Sequence, residues 1–338
     1  MTAKTAHPRP EPKVSMAELF PQMRFREKLR ATGICVLLLI PAVAGLWWVI
    51  GPWDPLGAVT IVYHHRPWLA LPVLVVFAAA GSALATVLMR GRLTDFGVFA
   101  VGVALAGFGL RGGDLTVLLQ YEAGVVGARK GLHAWLSLDV LLWTVVFAAG
   151  FLGCAVAEAG LRVANERDVP RRAGARPPGL LSRWLERAAA RTGTSPDWRT
   201  ELRHGLLAWV VTVAVATVLI RMTSGRPEGL IRSGQVCFAI GLGFWLGALA
   251  ANQFCRPALS LWYCLAVPVV ALTGHLGAWA DPDLPAHLAR YADIVTIVPK
   301  GLARGLPIDY LTVGPAAAIL GIWTSHRVHR AREEAAES

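Results

Sequence analysis

The chemistry this chain could carry is concentrated between Arg111 and Asp139, with one outlying contribution from Arg221. Arg111 and Asp114 flank the pair Gly112–Gly113. Tyr121 and Glu122 interrupt an apolar run, Arg129, Lys130 and His133 follow, and Asp139 stands in an apolar helix that continues VLLW. Ionisable groups this close to hydrocarbon are costly, and they face a protein interior or a wet cavity. Two readings follow. In one, Arg111, Asp114, Tyr121, Glu122, His133, Asp139 and Arg221 bind a small polar or anionic solute, and the carboxylates relay a proton or cation. In the other, Asp139 is half of a structural ion pair with Arg111 or Arg221 that ties helices together near the membrane interface.

Enzyme signatures do not accompany these residues. HExxH, GxSxG, a Walker loop and a GxGxxG behind a strand are all absent, so no catalytic residue is named. Cys35, Cys154, Cys237, Cys255 and Cys264 lie in or beside apolar runs without a CxxC, and read as small buried apolar side chains. None of the nine histidines lies at mid-depth on a span; His64, His65, His133, His275 and His287 would all be on the outer side, with no i, i+3 or i+4 pairing among them. Neither a metal centre nor a haem, nor any other cofactor, is expected.

The elements that must position the candidates are membrane helices. Of 338 residues 55% are hydrophobic and only 16% charged, with a mean hydropathy of +0.50. A soluble domain of this size carries nearer 25% charge, so the apolar excess must face lipid or other helices. The net charge of +11 would suit nucleic acid, but no nucleic-acid-binding motif is present and the basic residues cluster between apolar spans. Orientation in the membrane and contact with anionic lipid account for them.

Eight spans can be drawn: 31–50, with Pro41 as a mid-depth kink, 68–89, 96–110, 134–157, 205–220, 236–254, 258–278 and 310–323. The third, Phe96 to Leu110, is about 22 Å of helix against a hydrocarbon core of roughly 30 Å. The glycine break behind it makes residues 112–130 a candidate re-entrant segment. The expected organisation is a cytoplasmic arm (1–30) with an amphipathic stretch and no cleavable signal, and a first membrane half (31–158). A basic cytoplasmic loop (159–204), a second membrane half (205–324) and a cytoplasmic tail (325–338) follow. Most of the 33 Lys and Arg then lie on the cytoplasmic side of an inner membrane. The loop with Arg221, Arg226 and Arg232 is the exception.

Short matches recur in order. ALATVLMR (83–90) returns as AVATVLIR (214–221), FAVGV (99–103) as FAIGL (238–242), and LSL at 136–138 as LSL at 259–261. A repeated three-span unit must run in opposite directions, as in many transporters, although Ala, Val and Leu dominate both halves. The fold expected is an all-α polytopic transmembrane bundle of about eight spans with a candidate 3+3 inverted repeat. Its leading functional reading is a permease-like carrier with its site at the ends of spans three to six. A non-catalytic membrane subunit of a larger assembly, packed through small-residue faces, is the second. A membrane-embedded enzyme acting on a lipid-linked substrate is the third. The partners expected are the bilayer, anionic lipid at the basic loop, partner membrane subunits and no nucleic acid.

Overall fold

A computed structural model describes residues 25–54, 57–90, 93, 95–121, 128–166, 198–224, 233–257, 259–281 and 300–337. Glu122, Arg226, Arg232, the amphipathic arm before residue 25 and most of the basic loop lie outside them. The described residues are all-helical, with an isolated bridge between Ala58 and Gly113 and no strand.

Six helices are long and apolar enough to cross a bilayer, which makes this an integral, multi-pass membrane protein in its architecture. They are α1 (Phe25–Ile50), α2 (Pro67–Leu88), Lys130–Leu161 of α5 (Ala128–Glu166), α6 (Trp198–Thr223), α7 (Ser233–Phe254) and α8 (Leu261–Ala280). Among the described residues three further α-helices follow: α3 (Phe96–Arg111), the short α4 (Leu115–Tyr121) and α9 (Pro307–Glu337). The chain beyond Trp323 therefore continues as helix, because Arg327 to Glu337 offers no Gly or Pro to stop it.

The expected kink in α1 takes a definite form. Pro41 has no N–H to offer the preceding turn, and from Pro41 to Leu46 the helix widens to π geometry before returning to α at Trp47. α8 is likewise interrupted at Leu265, three residues before Pro268.

Helix α9 is the hub, packing on α7, α3, α5 and α8. Its contacts explain Gly102 and Gly109 of α3, while Gly243 and Gly247 of α7 pack against Ala216, Ile220 and Thr212 of α6. A Cβ at Gly102 would lie 2.9 Å from the Thr312 carbonyl oxygen, and one at Gly109 would lie 3.0 Å from Ile308. From the other side, a Cβ on α9's Gly321 would lie 2.4 Å from the Trp245 carbonyl oxygen of α7. The two glycine-rich helices thus close on α9, which lies between them. Small residues here permit backbone contact. α7 is unbroken over its 22 residues, whereas α3 is short, as expected, at 16.

The two triplets of the candidate repeat also pack differently. α2 lies chiefly along α5, its next neighbour but one, whereas α6 lies chiefly along the adjacent α7. The packing gives the repeat no support.

Contacts define two ends of the bundle. At one, here the tail end, the start of α3 meets the start of α8 through Asp95 and Ser260, and Glu201 at the start of α6 accepts from the Leu259 N–H and the Trp262 indole. At the other, two irregular segments fold inward as straps. Strap one is Gly57–His64, between α1 and α2. Strap two is Lys300–Leu306, leading into α9.

Candidate functional site

Strap one is buried although it is not helical, so its backbone polar groups need partners inside the bundle. The Ile61 and Val62 N–H groups both donate to Oδ1 of Asp139, at 2.8 and 3.0 Å. Asp139 is 0% exposed, which agrees with the expectation that a carboxylate in that helix faces protein. Its bonded partners are backbone N–H groups of the strap, where the sequence pointed to a guanidinium. Strap one is further fixed by the Gly113 N–H donating to the Gly57 carbonyl at 3.0 Å. That bond needs close approach: a Cβ on Gly112 would lie 2.9 Å from the same oxygen.

Oδ2 of Asp139 has no hydrogen-bond partner, and neither has the indole Nε1 of Trp143, one turn further along α5. The indole nevertheless acts on the Asp139 carboxylate as a side-chain donor.

The other candidates go to separate places. Arg111 Nη1 donates to the Val43 carbonyl at 2.6 Å, within the π stretch of α1, and its guanidinium stacks 4.6 Å from the Trp47 ring centre. The widened turn presents that carbonyl sideways, so Arg111 clamps α3 to α1. Asp114 accepts from the Thr116 N–H at 2.9 Å and from the Thr116 hydroxyl, a local cap at the start of α4. His133 is buried, and its Nδ1 faces Nδ1 of His275 at 3.5 Å. Arg221 is exposed at the end of α6. Lys130 stacks over Trp279 at 5.5 Å. The side chains of Tyr121 and Arg129 lie outside the described residues. The structure thus gives Arg111, Asp114, His133 and Asp139 different partners around the strap end.

Three buried polar residues were not singled out by the sequence. His275, placed there in an outer segment, lies wholly buried in α8. Arg304 of strap two is buried, with Nη1 donating to the Ser224 carbonyl at 3.0 Å. Asp309 is 8% exposed; Oδ2 accepts from the Leu306 N–H at 2.9 Å, and the Cys237 thiol lies 3.7 Å from Oδ1. An acidic residue in the first turn reaching back to the preceding N–H is an N-terminal cap, and its spacing behind Pro307 was a usable signal. For the His133–His275 contact, 142 residues apart, no local signal exists.

Between α2, α3, α5 and α9 lies a narrow, partly open crevice of about 20 Å³, room for roughly one water molecule. Ala78, Val98, Val101, Leu105 and Phe147 make most of its wall, and Ser82 and Trp143 also line it. Among the described residues, no group of three or more His, Cys, Asp or Glu could hold a metal ion.

No family model matches the chain, and neither a curated protein nor a solved structure is significantly similar to it.

Proposed function

We propose that this chain is a non-catalytic integral-membrane subunit, a packed platform for partner membrane proteins. The observation that carries this reading is the position of α9. It is lodged between α3 and α7, with backbone-to-glycine contacts on both sides, and it also touches α5 and α8. Alternating access in a two-halved carrier is largely rigid-body rocking of one bundle against the other. Here one helix is keyed into both halves. The buried charges fit the same view, since Asp139, Arg304 and Asp309 each satisfy backbone groups of irregular segments or helix ends. In this reading the bundle sits in an inner membrane with both termini cytoplasmic, and the basic loop 159–204 rests on anionic lipid.

A permease-like carrier of a small polar or anionic solute is the second reading. It is favoured by one observation, the unpartnered Oδ2 of Asp139 beside Trp143 at the edge of the crevice.

Spin labels at the exposed positions Leu110 and Gln235, near the strap ends of α3 and α7, separate the two readings. A platform gives one distance distribution that is unchanged between pH 5 and 8 and on adding sodium. Two interconverting distances would restore the carrier. Cross-linking in native membranes, followed by sizing, should place the platform in a species larger than its 36.2 kDa.

A further inference from the structure

Two buried histidines face each other between α5 and α8. His133 stands five residues in from the strap end of α5, and His275 five residues in from the strap end of α8. They are 5% and 0% exposed. Their ring centres are 5.7 Å apart and their Nδ1 atoms 3.5 Å, a difference of about one ring width. The rings therefore meet head-on, nitrogen toward nitrogen, rather than stacking.

A neutral imidazole carries one N–H and one lone pair. The gap between the nitrogens exceeds the roughly 2.7–3.2 Å of a well-formed N–H hydrogen bond. It falls within about half an ångström of two metal–nitrogen bonds laid end to end, each about 2.0 Å. The kind of metal follows from what surrounds the pair. Among the described residues no third His, Cys, Asp or Glu joins it. Zinc seeks four ligands, and a double charge with no carboxylate in its shell is costly to bury. Copper(I), a monovalent d10 cation, is satisfied by two ligands in a line, and imidazole suits copper. Two further contacts hold the rings in place. The Gly305 carbonyl of strap two acts on the His275 ring as an acceptor, the kind of outer partner that orients a ligating imidazole. One turn nearer the strap end the same helices meet through Lys130 and Trp279; Lys130 is exposed, so water screens its charge from the pair.

We propose that His133 and His275 form a binding site for a soft monovalent cation, copper(I), held in line between the two Nδ1 atoms and joining α5 to α8. The site is independent of the platform reading, since it asks only that these two helices stay adjacent.

The test uses the full-length protein in detergent micelles, kept anaerobic with ascorbate, and copper(I) delivered from its bicinchoninate complex. One copper per chain is expected, and its X-ray absorption spectrum should show two nitrogen neighbours in line and no sulfur. The ligand element decides, because the five cysteines are free thiols that also take copper(I). Outer partners alone are worth about 10–100-fold in metal affinity, so losing a ligand in His133→Leu or His275→Leu should weaken binding by more than about 100-fold. Unchanged far-ultraviolet circular dichroism and elution volume show that each variant is folded. Silver(I), the redox-inert analogue, gives a readout that needs no variant: in isotope-labelled protein the imidazole resonances of two of the nine histidines should shift. The proposal fails if sulfur dominates the spectrum, if either variant keeps full affinity, or if silver(I) leaves every imidazole unmoved. Any of these results assigns the pair to a purely structural contact between α5 and α8.

Discussion

The two straps at one end of the bundle solve the same problem with opposite charges. Strap one, Gly57–His64, brings N–H groups into the bundle, and the residue that receives it is an acid, Asp139. Strap two, Lys300–Leu306, carries a base, Arg304, to the Ser224 carbonyl just beyond the end of α6. The last carbonyls of a helix have no intrahelical donor and carry the negative end of its dipole. A guanidinium suits them as a carboxylate suits bare N–H groups. The difference teaches that the sign of a buried charge here follows the backbone groups it serves. It need not report the charge of a transported solute.

The largest expected effect is at strap one. Asp139→Leu removes the acceptor of two buried N–H groups, each costing about 1–3 kcal/mol when left unsatisfied, so a loss of roughly 2–5 kcal/mol is expected. Asp139→Asn keeps an oxygen for Ile61 and Val62. It places an amide N–H beside the Trp143 indole, donor against donor, and should cost less than Leu. Denaturant titration in detergent micelles ranks the two. Equal losses would show that the charge, and not the acceptor, holds the strap.

At strap two, Gly274→Val should come next. Any Cβ at Gly274 would lie 2.4 Å from the Leu302 carbonyl oxygen, so the strap must lift, at about 1–3 kcal/mol. Arg304→Met follows, at about 1–3 kcal/mol, since it strands the Ser224 carbonyl but keeps the apolar stem. Proteolysis should distinguish the straps. Cleavage between residues 300 and 306 should rise in both variants while Gly57–His64 stays protected, and loss of protection at both would show that the straps are one cooperative unit.

The sequence made the membrane bundle legible because long apolar runs with few charges have one physical solution, a helix with every backbone bond internal. Pro41 was legible for the same local reason, a missing N–H. Strap one was not. GAVTIVYH between two spans reads as an ordinary connection, and what buries it is an acceptor 78 residues away in sequence. Asp139 was recognisable as out of place, but its residue type could not reveal whether it met a cation or a backbone. The glycines misdirected in a specific way. Gly102 and Gly241 look alike whether a helix unwinds or packs closely, and only the position of α9 decides. Arg304 lay in a stretch drawn as external, because a hydropathy pattern cannot show that a segment folds back.

Acid should loosen strap one slightly through His64. His64 sits in strap one, its Nδ1 accepting from the Arg66 N–H at 2.9 Å, where α2 begins. Burial, with the neighbouring His65 adding to it, pushes the His64 imidazole below its ordinary value of 6.5. The folded chain therefore binds a proton less readily than the unfolded chain, and the stabilisation is complete above pH 6.5. It declines as pH falls below that value, because the unfolded state takes up the proton first. Protonating Nδ1 also abolishes the acceptor for Arg66. Hydrogen exchange of the strap-one amides should thus accelerate between pH 7 and 5 beyond the intrinsic pH dependence, and His64→Gln should flatten that excess. Strap two holds no histidine, and its Leu306 N–H donates to the Asp309 carboxylate, so His64→Gln should leave its exchange unchanged. An equal acid response at both straps would place the sensitive group elsewhere, with the buried His133–His275 contact the first to examine.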